Sequence, residues 1–256
     1  MRKVSVAIVK LTSCSGCINE FLYAVASNPE LLRRVALVYA TEFQDLNTLE
    51  EVDVALVEGS VATQHQEELV KSLRGRARLV VALGACATFG GIQAARAGED
   101  LRRVILSSYP NPDFVSVLPE VKSLDRVVRV DVRLPGCPVN GDSLARLLVK
   151  VIYGGGEAPI VENVCSECKR AGVQCVMVSR GVPCLGPVTF GGCGAICPSF
   201  GRGCYGCYGL NTALVDAERL AKFLEVLERL GMSRDDVDAL LKSFSYSALA
   251  RIQTRG

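Results

Sequence analysis

The chain has 256 residues, with 29 Lys and Arg against 27 Asp and Glu, which gives a net charge of +2. This length is enough for one main domain with a sizeable core and a smaller second domain. The charge balance argues against nucleic acid or an anionic membrane surface as the main partner. Since no stretch of roughly eighteen apolar residues is present, no membrane span is expected. The N-terminus carries no signal-peptide pattern, so we expect a cytoplasmic protein.

The first 155 residues alternate between strand patterns and helix patterns. Apolar residues recur at helical spacing around residues 18–25 and 144–151, and residues 64–73 have the pattern of a polar helix. Before and between these stretches stand five short runs rich in β-branched residues, which predict strands at residues 4–11, 35–40, 52–57, 79–83 and 127–132. Alternating helices and nearly continuous apolar strands are typical of a parallel sheet covered on both faces. We therefore predict an α/β fold with a flavodoxin-like, doubly wound parallel sheet.

Four cysteines follow predicted strands directly. Cys14 and Cys17 come after the first strand, Cys86 after the fourth and Cys137 after the fifth, and each loop contains glycine. Open α/β sheets bind their ligands at the carboxyl ends of the strands. Glycine allows the backbone to pass close to a bulky group. The sequence thus predicts that these loops converge on one metal site.

The remaining eight cysteines cluster within residues 165–207. This segment is rich in Gly and Pro and has little apolar periodicity, so it cannot bury a core of its own. Metal–thiolate bonds can fold such a segment, and in a reducing compartment they are favoured over the alternative of disulfides. Twelve cysteines also divide into three sets of four. The eight are Cys165, Cys168, Cys175, Cys184, Cys193, Cys197, Cys204 and Cys207.

Spacing alone leaves the grouping of these eight cysteines open. A set of Cys165, Cys168, Cys193 and Cys197 is permitted, and C-x-x-C pairs serve zinc as readily as iron–sulfur clusters. A zinc-binding interaction module is therefore one alternative function.

Glycines 154–156 mark the expected boundary between two regions. We predict a flavodoxin-like domain at residues 1–155, a small cysteine-rich domain at 156–212 and packing helices at 213–256. Ser233 and Asp236 have the spacing of a helix cap in the last part. The proline-containing stretch 107–125 predicts a surface loop.

Several motifs resemble those of one known family. They are Cys-Ser-Gly-Cys at residues 14–17, Leu-Val-Glu-Gly-Ser at 56–60, the glycine-rich stretch 84–91 around Cys86, and Gly-Cys-Pro at 136–138. Together with the late cysteines they resemble the small, electron-transfer subunit of cytoplasmic [NiFe] hydrogenases, the group of sulfhydrogenase delta and F420-hydrogenase gamma subunits. The resemblance covers nearly the whole chain.

The resemblance implies three [4Fe–4S] clusters that use all twelve cysteines. Periplasmic relatives have a [3Fe–4S] medial cluster and a His in the first distal pair; here Cys197 adds a fourth medial ligand and Cys165 stands in place of the His. The implied ligands are Cys14, Cys17, Cys86 and Cys137 for the proximal cluster, Cys193, Cys197, Cys204 and Cys207 for the medial cluster, and Cys165, Cys168, Cys175 and Cys184 for the distal cluster.

The resemblance also implies the partners. The site that splits H2 belongs to a separate [NiFe] large subunit, so this chain is part of an oxidoreductase but has no catalytic residue of its own. The large subunit is expected to cover the strand ends and to contact Phe89 and Ile92. A further redox subunit, with flavin or iron–sulfur groups, is expected to accept the electrons. An iron–sulfur subunit of the respiratory complex I type is the alternative, although that family lacks the late cysteines.

A few single residues carry weaker expectations. His65, the only histidine, is expected to lie in a solvated helix. Glu20 and Glu58 are expected to be exposed carboxylates at element ends, with tuning of the proximal cluster as the alternative. Tyr205 and Tyr208 are expected to shield a cluster from water.

Overall fold

The computed structural model describes residues 3–45, 49–155 and 161–253. Its centre is a five-stranded sheet in which every neighbouring pair is parallel. The strands are β1 (Val4–Lys10), β2 (Val35–Ala40), β3 (Val52–Glu58), β4 (Ala77–Leu83) and β5 (Val132–Leu134). Their order in the sheet is β2-β1-β3-β4-β5. The predicted doubly wound parallel sheet is confirmed.

Helices cover both faces of this sheet. Along β1, Val6 and Ile8 pack into one core and Ala7 and Val9 into the other, because successive side chains of a strand point to opposite faces. The helices in this part are α1 (Gly16–Ala26), α2 (Pro29–Arg34), α3 (Gln64–Arg74), α4 (Gly84–Phe89), α5 (Leu101–Ser108) and α6 (Gly141–Ile152). The first core includes residues of α1, α2 and α6, and the second includes residues of α3.

The fifth strand begins later than the sequence predicts. Residues 127–131 were expected to be strand, but the ladder with β4 starts only at Val132. The carboxylate of Asp131, in place of a backbone carbonyl, accepts a hydrogen bond of 2.8 Å from the N–H of Val80. Val127 and Val128 instead follow a 3₁₀ turn and pack against the second core. The strand prediction is therefore wrong for residues 127–131, whose apolar side chains reach the core from a turn.

The stretch 107–125 lies on the surface only in its first half. Tyr109 and Phe114 are exposed, as expected of a surface loop. Further on, Leu118 donates a backbone hydrogen bond to Ala62, and Leu124 is fully buried. The second half is therefore part of the packed domain.

The cysteine-rich segment consists of short helices and turns, and two longer helices follow it. They are α7 (Val164–Arg170), α8 (Val176–Arg180), α9 (Ile196–Ser199), α10 (Ala217–Arg229) and α11 (Arg234–Gln253). The N–H of Asp236 donates to Oγ of Ser233, which is the predicted cap. The expected boundary at glycines 154–156 falls partly outside the described residues. Within the described part of the chain, no helix is both long enough and apolar enough to cross a membrane.

Helices α10 and α11 pack against both earlier parts of the chain. Leu220, Leu227 and Leu241 share one core with Phe89 of α4 and Leu185 of the cysteine-rich segment. The cysteine-rich segment has in addition only a small core, whose buried members are Val164, Val176, Cys184, Ala195 and Cys204.

Candidate metal centres

The structure brings the four cysteines of the sheet loops together; we call Cys14, Cys17, Cys86 and Cys137 the proximal group. Cys17 is buried and Cys86 half-buried, whereas Cys14 and Cys137 are exposed. Burial, and then the charges of Cys137 and Cys14, raise the pKa of the Cys86 thiol to about 11. Burial also raises the pKa of Cys17, with smaller contributions from Glu58, Cys86 and Cys137. All four sulfurs therefore lie close enough to interact, as the sequence predicts.

Glycines leave room around these sulfurs. A Cβ on Gly84 would lie 2.4 Å from Sγ of Cys17, and one on Gly91 would lie 2.5 Å from Sγ of Cys86. Both glycines also have positive φ, 81° and 63°, which favours glycine over residues with a side chain. The absence of a side chain at these two glycines therefore leaves space beside the thiol sulfurs. An iron–sulfur cluster bound by these thiols would need such space.

Glu58 is a buried residue next to the proximal group. Its burial could not be inferred from the sequence. Glu58 is only 2% exposed, so the expected exposed carboxylate is wrong. The carboxylate accepts a hydrogen bond of 2.9 Å from the N–H of Ile18 and another from the N–H of Cys17. Burial raises the pKa of Glu58, while these two N–H groups act in the opposite direction. Glu58 therefore holds the start of α1, which positions Cys17.

Glu20 has a similar structural partner. Its carboxylate accepts a hydrogen bond of 3.0 Å from the N–H of Gly141, the first residue of α6. Glu20 is half-buried and joins α1 to α6. Its expected role as an exposed carboxylate is therefore wrong.

The second group lies on and around α7 and α8; we call Cys165, Cys168, Cys175 and Cys184 the distal group. Cys165 and Cys168 belong to α7, Cys175 is the N-cap of α8, and Cys184 follows α8. Burial, and then the charges of Cys184, Cys168 and Cys175, raise the pKa of Cys165 to about 11. A Cβ on Gly186 would lie 3.3 Å from Sγ of Cys184 and 3.6 Å from Sγ of Cys165. A glycine thus stands beside these sulfurs as well.

The third group is formed by Cys193, Cys197, Cys204 and Cys207, which we call the medial group. Burial, and then the charges of Cys193 and Cys197, raise the pKa of Cys207 to about 11. Cys204 is buried, and burial likewise raises its pKa, with smaller contributions from Cys184 and Cys207. These four cysteines are therefore neighbours too.

Two backbone N–H groups connect the medial group to the others. The N–H of Cys137 faces the thiol of Cys207 and lowers its pKa. The N–H of Cys204 donates to Sγ of Cys184 over 3.1 Å. The medial group therefore touches the proximal group on one side and the distal group on the other.

The two tyrosines that were expected to shield a cluster, Tyr205 and Tyr208, differ in their exposure to solvent. Tyr208 is buried, and a Cβ on Gly136, beside Cys137, would lie 2.9 Å from its ring. Tyr205 is exposed, so it cannot exclude water in the same way. His65 is exposed on α3, as predicted.

All twelve cysteines are free thiols and lie in the described residues. Among the described residues, no three His, Cys, Asp or Glu side chains are arranged to hold a single metal ion. A [4Fe–4S] cluster does not require such an arrangement, because each thiolate binds a different iron atom. Three groups of four thiols, two of them beside glycines whose missing side chains leave space, fit clusters of this type.

The comparisons with known proteins identify the family. The model of the family described as NADH ubiquinone oxidoreductase, 20 Kd subunit, matches residues 14–151. Sulfhydrogenase 2 subunit delta of Pyrococcus furiosus is 34% identical over 210 residues, which cover 80% of this chain and 86% of that protein. The chain belongs to this family, in its hydrogenase small-subunit branch.

Two further comparisons support the assignment to the hydrogenase small subunits. A vhu subunit of the F420-non-reducing hydrogenase of Methanococcus voltae is 28% identical over 276 residues, with 96% of each chain covered. A chain in the crystal structure of an NAD+-reducing [NiFe]-hydrogenase in the H2-reduced state matches with a TM-score of 0.55 and 28% identity, covering 62% of this chain and 96% of that one. The family model ends before the cysteine-rich segment, whereas the Methanococcus relative covers nearly the whole chain. The hydrogenase function is therefore favoured over the complex I alternative.

Proposed function

We propose that this hydrogenase subunit holds three [4Fe–4S] clusters and connects a [NiFe] large subunit to a further redox subunit. The proximal, medial and distal groups are the proposed ligand sets. When bound, such clusters would accept and donate single electrons. In this proposal residues 1–155 hold the first cluster, residues 156–212 hold the other two, and residues 213–256 form packing helices.

The serial contact between the three groups carries this proposal. The N–H of Cys137 faces the thiol of Cys207, and the N–H of Cys204 donates to Sγ of Cys184. Hydrogen bonds to cluster sulfurs and burial are the means by which a protein sets reduction potentials. A medial group joined to both neighbours supports the order proximal, medial, distal.

The exposure of the cysteines indicates that the proximal and distal groups are the two ends of this series. Cys14 and Cys137 are exposed at the proximal end and Cys175 at the distal end, whereas no medial cysteine is exposed. Electrons need short paths to a partner, so the ends with exposed ligands are the places where partners would bind. The medial group then serves only the path between them.

We assign the large subunit to the proximal end. Exposed apolar side chains there include Tyr23 of α1 and Ile92, which follows the Gly91 that lies against Cys86. Exposed apolar residues beside exposed ligands are typical of a surface that a partner covers.

We assign the further redox subunit, with flavin or iron–sulfur groups, to the distal end. Val178 and Phe200 are 88% and 80% exposed. Arg180, two residues after Val178, donates a hydrogen bond to the carbonyl of Gly201 beside Phe200. From Cys168 to Val215 the sequence has four basic residues and no acidic one, so an acidic partner surface would complement this end. The free thiols are typical of a reducing compartment, and we propose a cytoplasmic location.

Metal analysis and spectroscopy of the anaerobically purified hydrogenase complex test the proposal. Three clusters of four irons predict about 12 irons in this subunit, beyond those of its partners. Replacing the proposed medial ligand in Cys197→Ala should remove about one iron and produce a [3Fe–4S] signal in electron paramagnetic resonance spectra. About two zinc ions per subunit, with no iron beyond the partners' own, would contradict the proposal and support the zinc alternative.

A test of activity separates the subunit from its partner. The complex should reduce a dye with H2, whereas the subunit without a large subunit should not, because no H2-activating site is assigned to it. H2-dependent dye reduction with no detectable large subunit would contradict the proposed division of roles.

A further inference from the structure

Glu167 lies between two distal cysteines, but its carboxylate binds the loop of the medial group. Oε1 accepts a hydrogen bond of 2.9 Å from the N–H of Gly192, and Oε2 accepts one of 3.3 Å from the N–H of Ala195. The thiol of Cys193 also lies 3.7 Å from Oε2. A side chain of the distal motif thus holds both sides of the first medial cysteine.

The loop that Glu167 binds has an unusual backbone. Ala195 has φ of 54°, in the left-handed region that residues with a Cβ seldom adopt, and Gly192 and Gly194 have φ of 121° and 68°. Ala195 is nevertheless completely buried. A strained, buried turn persists only where its surroundings hold it, and here the N–H groups of Gly192 and Ala195 hold it by donating to one carboxylate.

Glu167 is also the acidic side chain that acts on Cys193. Burial raises the pKa of Cys193 to about 11, and the charge of Glu167 is the largest contribution after burial. At Cys168, the charges of Cys184 and Cys175 contribute more than that of Glu167. The nearest other carboxylate in the sequence, Glu162, pairs with Arg170. A negative charge beside a cluster ligand disfavours an added electron, so it lowers the reduction potential of that cluster.

We propose that Glu167 is a positioning residue that holds the medial loop on the distal motif and keeps the reduction potential of the medial cluster low. The proposal rests on the assignment of the medial group as cluster ligands. The proposal adds a coupling between two clusters. The side chain of Glu167 fixes the loop that carries the medial ligand Cys193, and its backbone belongs to α7, which carries the distal ligands Cys165 and Cys168. The motif Cys-Ser-Glu-Cys at residues 165–168 therefore serves both clusters.

Glu167→Gln in the complete hydrogenase complex tests this proposal, because Gln keeps the size and one acceptor oxygen but loses the charge. Redox titration followed by electron paramagnetic resonance should show the medial midpoint at a more positive potential. We expect about a tenfold change in the ratio of reduced to oxidised cluster at a fixed potential, which equals about 59 mV for one electron. The distal midpoint should move less and the proximal midpoint should stay in place.

Glu162→Gln is the matched control, since it removes the same charge from the same segment but breaks the pair with Arg170 instead. It should leave the medial midpoint unchanged. Selective loss of the medial signal in Glu167→Gln, with the proximal signal kept, would support the holding role. Full iron content with an unshifted medial midpoint, or an equal shift in Glu162→Gln, would overturn the proposal. Absence of any medial signal in the wild-type complex would instead contradict the three-cluster function.

Discussion

The ring of Phe89 stacks on the ring of Phe190, with centroids 6.4 Å apart and planes 18° from parallel. Phe89 ends α4, the helix that carries Cys86, and Phe190 belongs to the cysteine-rich segment. A Cβ on Gly209 would lie only 2.1 Å from the Phe89 ring. The pair therefore joins the helix that carries Cys86 to the later part of the chain. Because Phe89 is only 7% exposed, its expected contact with the large subunit is wrong.

Replacing Phe89 with Ala should destabilise the subunit by about 3–5 kcal/mol, because it removes a buried ring and leaves a cavity. The thermal unfolding midpoint of the anaerobic protein measures the effect. Phe114→Ala is the control, since Phe114 is 86% exposed and its loss should change the free energy of unfolding by no more than about 0.5 kcal/mol. Equal midpoints for the two variants would contradict the packing role of Phe89.

Local patterns in the sequence predict the sheet and the convergence of the first four cysteines. Strand-length apolar runs followed by Cys and Gly suffice, because parallel strands all end at one edge of the sheet. Burial of Glu58 could not be predicted in this way. It depends on the N–H groups of Cys17 and Ile18, some forty residues away, lying over the end of β3.

The errors have the same origin in contacts between distant residues. The start of β5 is set by the Asp131 carboxylate, which replaces a backbone acceptor for Val80. Phe89 lies in a glycine-rich stretch whose sequence predicts a surface loop. Its contact with Phe190, a hundred residues later in the chain, helps to bury it. The grouping of the late cysteines likewise rested on a family resemblance, because spacing alone allows several sets.

Ile92→Glu should weaken the binding of the large subunit while leaving the clusters of this subunit in place. Ile92 is 61% exposed next to the proximal group, so a carboxylate is tolerated in the free subunit but not in an apolar interface. Affinity purification through a tag on this subunit, followed by quantification of the large subunit, measures the effect.

Val178→Glu is the matched variant at the distal end. It should retain the large subunit and H2-dependent dye reduction but lose electron transfer to the further redox subunit. Ile92→Glu should show the opposite pattern. If both variants lose the same partner, the assignment of the two ends to different partners is wrong.

Gly84→Ala should prevent assembly of the proximal cluster, since its Cβ would lie 2.4 Å from Sγ of Cys17. The expected loss is about four of the roughly 12 irons, together with the proximal signal in electron paramagnetic resonance spectra. Gly98→Ala separates this clash from backbone strain. Gly98 has φ of 88°, close to the 81° of Gly84, but no atom lies within 4 Å of its Cβ position. Normal iron content in Gly84→Ala would mean that the loop moves to accept the side chain.

The cysteine-rich segment should depend on its proposed clusters for its fold, whereas the sheet domain should not. The small core of the segment counts Cys184 and Cys204 among its five buried members, and Cys204 forms a backbone hydrogen bond with Leu185. Loss of a ligand there removes both metal binding and part of the packing. Cys137 is instead itself exposed, and its loop follows a sheet with two large cores of its own.

Cys204→Ala should therefore become sensitive to protease between residues 161 and 212, while Cys137→Ala should lose the proximal cluster and resist cleavage there. Metal binding supplies folding free energy to a segment with little core, so a missing ligand increases the population of its unfolded form. Limited proteolysis with mass spectrometry of the fragments locates the cleavage sites. Treatment of the wild-type protein with an iron chelator should produce the same fragments as Cys204→Ala. A Cys204→Ala subunit that resists protease as well as the wild type does would show that apolar packing alone folds this segment.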